Sequence, residues 1–195
     1  MYLVAARYKR RNRLFLVPGD APGVQWQAAP AMGLRATATG TLTLDKVLIG
    51  QDALLGDDSF NFEAFLDLGQ LHWCALAIGA CQAALDYLIP YVNEREAFGE
   101  PISHRQAVAF MVANIGIELE SMRLMTWRAA ALAEAGKPFH REAYLAHLLC
   151  SEKAMEIGTN AVQLLGGHGY TKEHPAERWY RDLRVLACVN GGMHL

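Results

Sequence analysis

Two short stretches of the 195-residue chain gather residue types that bind oxyanions or open the backbone to a ligand. In "EREAFGEPIS", residues 94–103, Arg95 stands just before a turn marked by Gly99 and Pro101. A guanidinium binds paired oxygens in a fork, and the start of the next helix adds partial positive charge. Such an arginine suits a phosphate. Taken alone, a surface arginine paired with Glu94 or Glu96 is the simpler reading. In "AVQLLGGHGYTKEHPAERWYRD", residues 161–182, Gly166 and Gly167 interrupt an apolar helical run. Glycine lets a backbone approach a ligand with no Cβ in the way and supplies free N–H groups. It is also the common residue at a helix end, and the two roles are compatible. His168 has no second metal ligand nearby, so it reads as a hydrogen-bonded turn histidine and no metal site is expected. Arg178, Arg181 and Asp182 fall together on one helix and read as a structural salt bridge.

The elements that must carry these residues change character along the chain. "YLVAA", "RLFLVPG" and "GVQWQAAP" are short β-rich runs with Gly and Pro punctuation. "ATATGTLTLDKVLIG" alternates Thr with small or apolar residues, the period of a half-buried strand. Four such strands leave open edges and one bare face, so the β segment is expected to need partners outside this chain. From Phe60 to Glu94 the chain is mostly apolar at helical spacings, with Pro90 expected to kink or perturb the helix. Ser103 can cap a second helix over 104–135, a third covers about 141–165, and a shorter fourth follows Pro175. Long helices joined by short turns pack antiparallel. The expected fold class is therefore α+β, mainly α: a partial β-barrel segment followed by an antiparallel four-helix bundle. Residues 1–56 and 57–195 are the expected domains.

Composition excludes several classes. A formal charge of −2, with acids and bases interspersed, gives no surface suited to nucleic acid. No run of ~18 apolar residues appears, so no membrane span is expected. The basic cluster follows the first apolar run, the reverse of a signal peptide, so the protein is not expected to be secreted. Cys74, Cys81, Cys150 and Cys188 make no CxxC pair and read as buried thiols of a reducing compartment. Trp73 and Trp127 lie at core-like helical positions and read as packing.

The stretches "LFLVPGDAPGV", "MGLRATATGTLTLDKVLIGQDALLG", "REAFGEPISHRQAVAF", "AVQLLGGHGY" and "PAERWYRDLR" together resemble the flavin-dependent acyl-CoA dehydrogenases, in family order and near-family spacing. The resemblance covers almost the whole chain, although family members are about twice as long. It implies that the N-terminal helical domain and the first strands of the middle β domain lie elsewhere, in a longer protein or in a separate chain. It implies FAD as cofactor, with Arg95, Phe98 and Gln106 reaching the FAD of a neighbouring subunit. Gln163, Leu164, Gly166 and Gly167 would touch its adenosine half. The implied partners are an acyl-CoA substrate and an electron-transferring flavoprotein. The implied assembly is a homo- or hetero-tetramer, a dimer of dimers. The implied compartment is the cytoplasm, or the mitochondrial matrix in a eukaryote.

The family reaction takes a proton from the carbon α to a thioester while hydride leaves the β carbon for the flavin. A weakly acidic C–H needs a carboxylate in a dry site. In most members a Glu stands eight residues after the RD aspartate; here that position is Asn190, in "CVNGG", with Gly191 beside it as a substrate contact. An amide cannot accept the proton, although its backbone N–H can donate to the thioester oxygen. Members that carry the base on the first long helix would place it at Gly69, with Gln70 where an arginine is usual. Asp67, two positions away, is turned by ~200° and is expected to face elsewhere. Three readings follow. In the first, the chain belongs to a dehydrogenase that takes its base from another residue or from outside the chain. The chain could instead be a non-catalytic subunit holding FAD and acyl-CoA, or an inactive paralogue.

Overall fold

The computed structural model of the protein describes residues 1–189. Two compact units emerge: Met1–Ala31 with Arg35–Phe65, and Met32–Leu34 with the residues from Leu66 onward.

The first unit is β-rich. β1 (Tyr2–Tyr8) and β2 (Arg11–Val17) form an antiparallel hairpin in which Tyr2 faces Val17 and Tyr8 faces Arg11. Its two-residue turn, Lys9–Arg10, has φ of 48° and 67°, the primed geometry that matches the twist of paired strands. β2 also pairs with the two-residue β5 (Leu54–Leu55), giving the order β1-β2-β5. β3 (Val24–Ala28) and β4 (Gly40–Leu44) pair separately, with Trp26 opposite Leu42. No closed sheet forms among the described residues, so the expected partial β-barrel segment is not confirmed. Five pairing strands in two small sheets cannot return to their own first edge. "ATATGTLTLDKVLIG" is strand only over 40–44, because a 3-10 turn at Arg35–Thr37 and a positive φ at Ala38 break its start. Arg13 is buried and held by the Asp57 carbonyl and, at 2.6 Å, by the Asp58 carboxylate.

The second unit is helical. α1 (Phe62–Glu94) starts where Asn61 Oδ1 accepts the Ala64 N–H at 3.0 Å, an N-cap bond. Leu71, Cys74, Ala77, Cys81, Ala84, Leu88 and Val92 recur every three or four positions and form its buried face. The helix runs on through Pro90 to Glu94 rather than ending there. By length and composition alone α1 is long and apolar enough to cross a membrane, so the expected lack of a span is not confirmed. Its buried face nonetheless belongs to the core shared with the other helices.

After the short hairpin β6 (Glu96–Ala97) and β7 (Glu100–Pro101) comes α2 (Gln106–Glu134), then α3 (His140–Leu165). Ser103 does not cap α2: it lies in the 3-10 turn Ile102–His104, and α2 begins after Arg105 with no side-chain cap. α3 buries Ala143, Ala146, Ala154, Gly158 and Ala161, small residues that let neighbours come close. A Cβ on Gly158 would lie 3.1 Å from Tyr180 Cα, on α5 (Ala176–Leu183). Between α3 and α5 sits one further turn, α4 (Gly167–Tyr170). Among the described residues, three long helices and two short ones thus stand where four were expected.

Two packing expectations fail. Trp127 is 62% exposed, because the buried face of α2 runs through Ile115, Leu119, Met122, Thr126 and Ala129. Cys188 is exposed beyond α5, whereas Cys74, Cys81 and Cys150 are buried. Burial pushes the Cys81 thiol up to about 12, so that thiol is inert.

Candidate cofactor site

The end of α1 and the end of α3 meet around a cavity of about 360 Å³. Arg95 enters it from the residue after α1, and its backbone is fixed on both sides. The Arg95 N–H donates to Tyr91 O and the Arg95 carbonyl accepts from Ile102 N–H, each at 2.9 Å. From the other wall come Gln163, Leu164, Gly166 and Gly167. Five of the seven residues expected to touch FAD therefore line one space, although about seventy positions separate Arg95 from the glycines.

Local backbone chemistry explains the glycines. Gly166 ends α3 with φ 60° and ψ −131°, a region that L side chains avoid. Its N–H donates to Gln163 O at 3.1 Å, and its carbonyl accepts from Gly169 N–H at 3.0 Å. A Cβ built on Gly166 or Gly167 meets nothing within 4 Å, so the missing side chains leave open space, not a packed contact. Gly169 differs: its Cβ would strike Val162 O at 2.3 Å, so there glycine is needed for helix packing.

Phe98 and Gln106 do not line this cavity. Phe98 sits at the tip of the β6–β7 hairpin, 95% exposed and with φ 58°, an uncommon backbone state for a bulky residue. The Arg105 guanidinium lies 5.0 Å from its ring centroid and also donates to Ala97 O at 3.1 Å. Gln106 is the exposed first residue of α2. Asn190 and Gly191 lie outside the described residues.

The expected Arg–Asp salt bridge is replaced by a different arrangement. Arg181 forms a two-pronged ion pair with Glu177, at 2.7 and 3.1 Å, and its Nη1 donates to Met32 O at 3.0 Å. Hydrogen bonding to Glu177 raises the Arg181 pKa further above its ordinary value. Asp182 accepts the Leu34 N–H at 2.7 Å. Together they hold the segment Met32–Leu34 so tightly that a Cβ on Gly33 would fall 2.1 Å from Arg181 O.

His168 is hydrogen-bonded, as expected: its Nδ1 lies 2.9 Å from Tyr91 Oη. The surroundings of His168 are not evident from its sequence neighbours. His168 stacks on His174, with centroids 5.1 Å apart, and His174 Nδ1 lies 2.6 Å from Tyr87 Oη. Two tyrosines four apart on the apolar α1, and two histidines shortly after the break at Gly166, were the available signal. Asp67 does face away from Gly69: it is buried and lies 2.9 Å from His140 Nδ1, at the start of α3. Gly69 itself opens to space, with nothing within 4 Å of a Cβ there.

The donor set suits part of FAD. One guanidinium, an open glycine backbone and an apolar wall of Leu164, Ile102 and Tyr91 match a phosphate next to a flat organic group.

Comparison with known proteins agrees. Residues 61–193 match the family model described as acyl-CoA dehydrogenase, C-terminal domain. The chain is 42% identical over 181 residues to the short-chain specific mitochondrial acyl-CoA dehydrogenase of Bos taurus, covering 91% of this chain and 44% of that one. It is 32% identical over 198 residues to the cyclohexane-1-carbonyl-CoA dehydrogenase of Geobacter metallireducens, covering 97% and 52%. Among solved structures it superposes on butyryl-CoA dehydrogenase from Megasphaera elsdenii with a TM-score of 0.88 at 29% identity, covering 98% of this chain and 52% of the other. The chain thus spans about half the length of the relatives it matches. The chain belongs to the acyl-CoA dehydrogenase family, and it carries that family's C-terminal helical domain.

Proposed function

We propose that this chain is the C-terminal half of an acyl-CoA dehydrogenase, with residues 1–56 completing a middle β domain and residues 57–195 forming the helical domain. The assembled protein would oxidise the α,β bond of an acyl-CoA thioester, passing electrons to an electron-transferring flavoprotein. FAD, when bound, supplies the hydride acceptor. The observation that carries this reading is the meeting of Arg95 with Gln163, Leu164, Gly166 and Gly167 around one cavity.

In this reading Arg95 binds the cofactor pyrophosphate, and the glycine backbone admits the adenosine half. Phe98 and Gln106 serve the same cofactor from the hairpin tip and the start of α2. Asn190 donates its backbone N–H to the thioester oxygen with Gly191 beside it, and the proton goes to a carboxylate at neither Gly69 nor position 190. The exposed residues Phe110, Ile117 and Leu124, seven apart along α2, with Trp127 one turn on, suit a tetrameric interface between helical domains. The compartment is the matrix in a eukaryote and the cytoplasm in a bacterium.

Anaerobic addition of a series of short-chain acyl-CoAs to the assembled, FAD-loaded protein tests the proposal. The visible flavin absorbance should bleach with at least one of them. Retention of oxidised flavin with every acyl-CoA, in protein that binds FAD stoichiometrically, would overturn it.

A further inference from the structure

Gly166 and Gly167 can hold an open, ligand-facing backbone only if something else fixes the turn, because neither carries a side chain to pack. The residues on either side of this pair, Leu165 and His168, meet at one atom. Tyr91 Oη lies 3.4 Å from Leu165 O and 2.9 Å from His168 Nδ1. A phenol has one hydrogen to give and lone pairs to receive. Donating to the Leu165 carbonyl, Tyr91 can accept from His168 Nδ1–H, so one hydroxyl ties both ends of the glycine pair to α1.

A second brace lies one turn earlier on the same helix. Tyr87 Oη is 2.6 Å from His174 Nδ1, and the Tyr87 ring packs edge-on against Trp179, at 5.7 Å between centroids. His174 stacks on His168 at an interplanar angle of 20° and meets the Tyr91 ring edge-on at 5.8 Å. The four rings form a half-buried plug beneath α4, linking α1 to the start of α5. Tyr91 and His168 also line the cavity, so the plug forms part of its wall.

We propose that Tyr91 and His168, backed by Tyr87 and His174, are positioning residues that preset the Gly166–Gly167 backbone for the cofactor. This rests on the FAD reading above, and it extends that reading to four residues that do not themselves need to touch the pyrophosphate.

The test compares Tyr91→Phe with the unaltered full chain in two measurements. The first is amide exchange without ligand, followed at Gly169 and Thr171, whose N–H groups bond to Gly166 O and His168 O. Loss of the hydroxyl removes both part-buried hydrogen bonds and should speed exchange there at least about tenfold, while the α2 core amides stay unchanged. The second is FAD titration of the assembled protein, where affinity should fall about tenfold. His168→Ala should reproduce both changes and His168→Asn, with an amide nitrogen near the Nδ1 position, should recover most of each. Unchanged exchange at Gly169 and Thr171 in Tyr91→Phe would overturn the proposal. So would faster exchange with unaltered FAD affinity, because the plug would then be structural only. Failure of the unaltered protein to bind FAD at all would refute the cofactor reading itself and the positioning role with it.

Discussion

Asp182 accepts the backbone N–H of Leu34 at 2.7 Å across 148 positions of sequence. A carboxylate bonded to a part-buried amide contributes about 1.5–3 kcal/mol, and it fastens Met32–Leu34 to α5 beside the Arg181–Glu177 pair. Asp182→Ala should therefore destabilise the chain by about 1.5–3 kcal/mol in urea unfolding. Asp182→Asn keeps an acceptor oxygen and should cost roughly half as much. Equal losses for the two variants would show that the charge, not the acceptor, matters.

His147 gives a pH dependence of defined sign. It is buried in α3 with Nδ1 unbonded, and burial lowers its pKa below the ordinary 6.5. The unfolded chain then binds the proton more readily than the folded one. Stability is full above about 6.5 and falls as pH drops from there toward the lowered folded value. His147→Leu should flatten the stability profile in this window relative to the unaltered chain, by at most about 1.4 kcal/mol per pH unit. Parallel profiles for the two proteins between pH 7 and pH 5 would count against it.

Gly69 offers a gain-of-function test. A side chain there enters open space, and replacing a helical Gly with Glu is worth about 0.5–1 kcal/mol in helix propensity. Gly69→Glu should raise the melting temperature slightly. If the first-helix base position of the family applies, it should also speed acyl-CoA-dependent flavin bleaching in the assembled protein at least tenfold. A stabilised variant with unchanged bleaching would remove Gly69 from the active site.

Legibility differed by the range of the interactions involved. The helices over 62–94, 106–134 and 140–165 were readable because their apolar spacing is local. The break at Gly166 was readable because only glycine readily adopts its combination of φ 60° and ψ −131°. The barrel was not, since closing a sheet depends on partners at long range, which no local pattern encodes. Asp182 was legible as a polar anchor but not as to its partner: Arg178 and Arg181 are near in sequence, whereas the Leu34 amide is near only in the fold. The Tyr87–Tyr91–His168–His174 plug escaped for the same reason, because each residue alone reads as ordinary.

The three neighbouring glycines separate folding from binding. Gly169→Ala forces a Cβ to within 2.3 Å of Val162 O, a clash with backbone that cannot move aside. It should cost about 1–3 kcal/mol of stability, as overpacking does. Gly167→Ala meets nothing, and its φ is not positive, so unfolding midpoints should hold or rise slightly. Its methyl group nevertheless stands on the wall of the cavity that Arg95 also lines, in the space the proposed cofactor would occupy. FAD affinity should therefore fall by about tenfold or more in Gly167→Ala while thermal stability is retained. If Gly167→Ala instead binds FAD as the unaltered protein does, the cavity at the end of α3 is not where the cofactor lies.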